Sequence, residues 1–141
     1  MKKFKQEGWI KCEFSKPYKY MGIKNEPSVY LIVLKTQKGR KIIYVGSSKT
    51  LFRRIVTHPV INRLKRNIPN IKLEIWHKNF MDISYHQNAI EEAKLIASLR
   101  PIFNGASNDI QIKPTPRVNK FWENMGLGEI KINYWHSIKV A

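Results

Sequence analysis

The side chain whose position most needs a chemical reason is Glu92. Around the segment Ser84–Leu99, at about 100° per residue, Ala89, Ala93, Leu95, Ile96 and Leu99 fall on one broad arc. Glu91, Lys94 and Ser98 fall opposite, and Glu92 lies inside the apolar arc, between Leu99 and Ile96. A carboxylate aimed at a core is costly unless something pairs with it. Glu92 is therefore half of a buried ion pair, a side chain reaching solvent from the margin of the stripe, or a ligand for a hard divalent cation, which prefers carboxylate oxygen. Glu91 faces solvent on the same wheel and reads as an ordinary surface charge.

A second constellation is basic. From Lys35 to Arg66 the chain has ten Lys or Arg and no acid: Lys35, Lys38, Arg40, Lys41, Lys49, Arg53, Arg54, Arg63, Lys65 and Arg66. Most of these suit a solvated surface, but an unbroken run of one sign also makes a phosphate-contacting face. Arginine holds a phosphate with two parallel hydrogen bonds, which suits fixing a scissile group. Arg54 and His58 are four apart, so on a continuing helix they share a face.

The whole chain repeats this bias. Its 26 Lys and Arg against 10 acids give a net charge of +16 over 141 residues. Self-repulsion of that size points to a polyanionic partner, nucleic acid before membrane, because there is no long basic amphipathic helix. Apolar residues at 43% and this length predict one domain over 1–141 with a packed core. Cys12 is the one cysteine, so an intrachain disulfide and a cysteine zinc site are excluded, and a reducing, cytoplasmic setting is expected. The basic start Met1–Glu7 leads into no apolar run, so neither a signal peptide nor a membrane span is expected.

The elements that must position these groups lie in residues 28–104. Val29–Leu34 is an apolar run of strand length, Lys35–Arg40 a polar hairpin loop with Gly39, and Ile42–Val45 a second strand ended by Gly46. Tyr30 and Tyr44 are an even number of positions apart, so a suitable hairpin register puts both rings on one face. Ser47 or Ser48 is placed to cap a helix carrying Leu51, Phe52, Ile55 and Val56. Pro59 ends or kinks that helix at His58, and a short helix with Val60, Ile61 and Leu64 follows. Ile71–Trp76 alternates as a third strand. Ser84–Leu99 is the clearest helix, stopped by Pro101.

The result is an α+β domain: a small, mainly antiparallel central sheet of three core strands, in the order β-β-α-β-α, flanked by helices. Residues 1–27 form a basic N-terminal extension. There Ile10, Cys12 and Phe14 alternate like an edge strand, and Lys16-Pro17-Tyr18-Lys19-Tyr20 mixes aromatics with charge, as a lid or a base-stacking segment does. Residues 105–141 form a C-terminal extension, with Phe121 and Trp122 anchoring a short helix and Glu129–Val140 reading as a strand.

In this order and spacing, residues 28–104 resemble the GIY-YIG nuclease superfamily. Its two name tripeptides correspond to Ser28-Val29-Tyr30 and Tyr44-Val45-Gly46, the first with Ser28 where the family has glycine. Arg54 and His58 match its helical arginine and histidine. Glu92-Ala93-Lys94-Leu95-Ile96, then Pro101 and Asn104, match its later helix and following asparagine. The resemblance selects Glu92 over Glu91, as does the helical wheel.

What the resemblance implies is hydrolysis of a DNA phosphodiester with one Mg2+ or Mn2+ per site, held by Glu92. Tyr30 would help to take a proton from the attacking water, Tyr44 would orient phosphate or water, and Arg54 would bind non-bridging oxygens. His58 would assist proton transfer or positioning, while Gly46 and Asn104 would support the site. Lys49, Arg53, Arg54, Arg63, Lys65 and Arg66 are the expected DNA contacts. A compact restriction-type or phage-type endonuclease fits the short flanks. Cutting both strands with one site needs two copies, hence a homodimer, or two successive nicks. Two alternatives are a nuclease fold that binds nucleic acid without turnover, suggested by Ser28 and Pro59, and, from charge alone, an RNA-binding protein of ribosomal type.

Overall fold

The computed structural model describes residues 6–15, 18–80, 86–104 and 115–127. Within them Ser28–Thr36 (β2) and Gly39–Ser48 (β3) form an antiparallel hairpin, with Lys72–Lys78 (β4) antiparallel on the other side of β2. Ile10–Glu13 (β1) adds to β4, so the sheet has four strands in the order β1-β4-β2-β3, all antiparallel. The three core strands of the sequence reading thus gain a fourth from the N-terminal extension. That edge strand uses its alternation only in part: Phe14 is buried, but Ile10 is 59% exposed.

Helices cover both faces of the sheet, which is why central β2 reads as an unbroken apolar run. Val29, Leu31 and Val33, with Val45 and Trp76, meet Leu95, Ile96 and Leu99 of His86–Leu99 (α3). Tyr30, Ile32 and Leu34, with Ile43, Leu73 and Ile75, face the larger core. Into it pack Leu51 and Ile55 of Leu51–Val56 (α1), Val60, Ile61 and Leu64 of Pro59–Asn67 (α2), and Val118 and Trp122 of Pro116–Asn124 (α4). A register shift between Ile32 and Val33 leaves Ile43 as an extra residue in β3, so Ile43 faces the same core as Ile32. Arg40 clasps the hairpin to β4 through Nε–Glu74 Oε1 at 2.8 Å and Nη2–Glu74 Oε2 at 3.1 Å, while Trp76 Nε1 donates to the same carboxylate at 3.1 Å.

Some expectations change at the level of single residues. β3 runs through Ser47 and Ser48, so neither caps α1. Thr50 is the N-cap and makes no side-chain cap bond. On α3 Ala93 is exposed and Glu91 half-buried, so the packed side runs through Asn88, Glu91, Glu92, Leu95, Ile96 and Leu99. Asn88, the one buried residue of α3, pins that helix by accepting from Phe80 N at 2.8 Å and donating to Asn79 at 3.2 Å. Arg100 ends the helix at φ 47°, a left-handed cap usually given to glycine. Residues 16–17, the start of the helix at Ser84 and the strand at Glu129–Val140 lie outside the described residues. Among the described residues no helix is long and apolar enough to cross a membrane.

Candidate active site at the outer edge of the sheet

Strand β3 is one border of the sheet, and Gly46 in it is the Cα partner of Tyr30 in β2. The Tyr30 side chain crosses β3 at that residue. A Cβ built on Gly46 would stand 2.5 Å from Cζ and the hydroxyl oxygen of Tyr30. Glycine is therefore the residue type that lets a phenol rooted in the second strand reach the sheet's margin. Tyr44, on the same face, stacks beside it, ring centroids 6.2 Å apart and planes 30° apart.

Two helices supply the groups around the phenols. Arg54 of α1 sends Nε toward the Tyr30 hydroxyl at 3.4 Å and hydrogen bonds Tyr44 as well. The helix does not continue to His58. It stops after Val56, and His58 becomes the N-cap of α2, with Pro59 at its first position. From there His58 Nε2 sits 2.9 Å from the Tyr30 hydroxyl, with its ring edge-on to both phenols. Arg54 and His58 thus meet at one oxygen from two different helices.

Glu92 arrives from the other layer. Ser47, immediately after Gly46, donates its hydroxyl to Glu92 Oε1 at 2.8 Å. Phenols on one face and a carboxylate from the other come together around the β3 margin. The rest of that margin is closed by the chain after α3. Phe103 N donates to Ile43 O at 3.0 Å. Asn104 pairs with Val45 like a strand residue, Oδ1 accepting from its N–H at 2.9 Å and Nδ2 donating to its carbonyl at 2.8 Å. Trp122 and Phe121 of α4 pack on the Phe103 ring at 5.7 and 6.3 Å, which holds that segment in place.

Burial sets the protonation states. It pushes the Tyr30 phenol well above the ordinary range, reinforced by Tyr44 and opposed by Arg54. Burial likewise raises Tyr44, again opposed by Arg54. Desolvation works against the charge of Arg54, but the two phenols outweigh it and leave the guanidinium's pKa raised. Burial, and then Arg54, hold His58 well below an ordinary histidine. At neutral pH the site has two protonated phenols, a neutral imidazole and a charged guanidinium. The Glu92 carboxylate adds a smaller upward push on both phenols. Among the described residues Arg54 and Glu92 form no ion pair: Arg54 bonds to the phenols and Glu92 to Ser47.

Of the expected DNA contacts, Lys49, Arg53 and Arg66 are exposed or partly exposed and Arg54 is half-buried. Arg63 is instead buried at 3% exposure, because α2 turns that position inward beside Leu64. It is not part of a solvated basic face. Lys65 is half-buried, its Nζ donating to Ile71 O at 2.7 Å and lying 5.4 Å from the Phe14 ring centroid. Three residues of the site region were not singled out by sequence for roles here. Ser47 positions Glu92. His77 is buried and is the Cα partner of Tyr30 on β4. Ser28 is 1% exposed, and its hydroxyl has no hydrogen-bond partner. Ser47 and Ser28 follow from register once the hairpin is known. His77 had no sequence signal.

Among the described residues no group of three or more His, Cys, Asp or Glu converges as a cation cage. Glu92 stands as a single carboxylate with Oε1 occupied by Ser47. That donor set fits a cation that keeps most of its water and takes oxygens from a bound phosphate, the habit of Mg2+. No protein family, curated protein or solved structure matches the chain.

Proposed function

We propose that this protein is a divalent-metal-dependent DNA endonuclease of the GIY-YIG type, hydrolysing phosphodiester bonds with one Mg2+ or Mn2+ per site. The observation that supports the reading is the cluster of Tyr30, Tyr44, Arg54 and His58 at one sheet margin, with Glu92 held by Ser47, the residue after Gly46, and not paired with Arg54. Opposite charges kept apart beside two phenols suit a substrate that is itself anionic and is handled with a cation.

In this reading Arg54 binds non-bridging phosphate oxygens and Tyr44 orients the phosphate. Tyr30, held by Arg54 and His58, takes a proton from the attacking water after its own hydroxyl proton has passed to solvent. Glu92, oriented by Ser47, would hold the cation, which when bound supplies charge neutralisation at the phosphate and leaving oxygen. Lys49, Arg53 and Arg66 lie on accessible surface and contact the flanking backbone.

A second reading, a nuclease fold that binds DNA without turnover, is favoured by one observation: Tyr30 is 1% exposed and held protonated by burial. Incubation with supercoiled plasmid, with and without Mg2+ or Mn2+, separates the two. Metal-dependent nicking or linearisation supports the endonuclease. Salt-sensitive binding with no cut product on plasmid or branched DNA supports the binding module.

A further inference from the structure

The pairing of His58 with the first turn of α2 has a chemical consequence. His58 Nδ1 accepts a hydrogen bond from Val60 N–H at 3.2 Å. Val60 is the second residue of α2, so this N–H is one of the amides a helix start leaves without an internal partner. Pro59, at the first position, has no N–H to compete. An imidazole nitrogen that accepts from a backbone amide carries a lone pair, not a proton. A neutral ring must then carry its proton on Nε2.

We propose that the His58-Pro59-Val60 cap locks His58 as the Nε2–H tautomer, so that His58 is a permanent hydrogen-bond donor to Tyr30 and not an acceptor of its proton. The second proton of an imidazolium would point at Val60 N–H, so the charged form is excluded by the same contact. The positive end of α2, burial and the nearby Arg54 act in the same direction. The Tyr30 oxygen therefore receives two donors, His58 Nε2–H at 2.9 Å and Arg54 Nε–H at 3.4 Å. Two accepted bonds occupy both lone pairs of a phenol oxygen, and its own hydrogen must point away from both donors. Any proton that Tyr30 exchanges is exchanged on the side away from His58. His58 is a positioning residue: it fixes the direction of the Tyr30 O–H and supplies a bond that strengthens as charge grows on that oxygen. Pro59, which at first sight disturbs the helical spacing of Arg54 and His58, is what makes this cap.

The tautomer rests on geometry alone, whereas its catalytic consequence rests on the endonuclease reading. Two measurements keep them apart. The first is nitrogen-15 NMR of the histidine-labelled whole protein without DNA, the His58 signals assigned by their loss in His58→Gln. The expected result is a pyrrole-type Nε2 and a pyridine-type Nδ1 throughout neutral pH. A proton on Nδ1, or fast exchange between the two forms, overturns the lock whether or not the protein cuts DNA.

The second is plasmid cleavage by His58→Asn and His58→Gln. Asparagine keeps a good cap but is too short to reach the phenol, and glutamine carries an N–H donor about as far as Nε2. The His58→Asn variant should fold normally and cut about 100-fold more slowly, the usual scale for a lost electrostatic donor. The His58→Gln variant should recover about tenfold of that loss despite being the poorer cap. Equal loss in both variants, with both folded, overturns the donor role, since a proton-accepting histidine is replaced by neither amide.

Discussion

The Tyr30 phenol lies directly against Gly46, in the space a β-carbon would occupy. Gly46→Ala should therefore displace a buried ring that Tyr44, Arg54 and His58 all touch. The expected cost is about 1–3 kcal/mol, as for overpacking in a well-packed core, with cleavage lost. Denaturant unfolding checks it. Combining Gly46→Ala with Tyr30→Ala should recover most of the stability penalty of the glycine change, because the ring is what the new methyl meets. Additive penalties would place the clash elsewhere.

Asn104 acts on the same margin from outside. Its amide satisfies both backbone groups of Val45, next to Tyr44 and Gly46. Asn104→Ala should cost about 1–3 kcal/mol, the usual scale for leaving a partly buried backbone group without its partner. Amide hydrogen exchange at Val45 should accelerate in that variant more than at Leu34, which is deep in β2. Uniform acceleration would mean that Asn104 supports the fold globally and not this edge.

Stability should fall on mild acidification. His58 and His77 both have folded-state pKa values depressed by burial below the ordinary 6.5. The unfolded chain then binds more protons as pH drops below that value, so the stability held above it is lost as pH falls toward the folded-state pKa values. Unfolding free energies compared at about pH 7.5 and about pH 5.5 should differ in that direction, and His58→Asn should shrink the difference. Glu74, lowered first by its bond to Arg40, adds a similar loss at more acidic pH, below the ordinary 4.5. A stability that stays flat from neutral to about pH 5.5 would contradict the buried neutral state of His58.

DNA affinity should separate exposed from buried arginines. Arg53 is exposed, while Arg63 is buried. Arg53→Ala should weaken binding uniformly across sequences and reduce the slope of log affinity against log salt by about 1, the signature of one phosphate contact. Arg63→Met should leave the slope unchanged and act through stability. Equal slope changes in both would return Arg63 to the contact surface.

Much of this arrangement was legible in residue spacing. The even separation of Tyr30 and Tyr44 puts both rings on one face, as the hairpin register requires. Glu92 stood out because a carboxylate broke an apolar arc, and it does lie on the packed side of α3. What spacing could not give depends on pieces that pack from far away. The hydroxyls of Ser47 and Ser48 looked like helix caps because local chemistry favours that use, but the sheet kept them in β3. Ala93, placed on the apolar arc by spacing, is exposed. His77 comes beside Tyr30 through pairing of β4 with β2, strands distant in the chain, which no local pattern encodes.

The most direct test of the central claim compares Glu92→Gln and Glu91→Gln beside the unaltered protein, on supercoiled plasmid across a Mg2+ titration. The two residues are adjacent in α3. Only Glu92 is tied to Ser47 beside the phenols, while Glu91 accepts from Gln87 at 3.1 Å and pairs with Lys94 at 3.6 Å. The account predicts metal-dependent cleavage that falls about 100-fold or more in Glu92→Gln and is retained in Glu91→Gln. Cleavage undiminished in Glu92→Gln would contradict it.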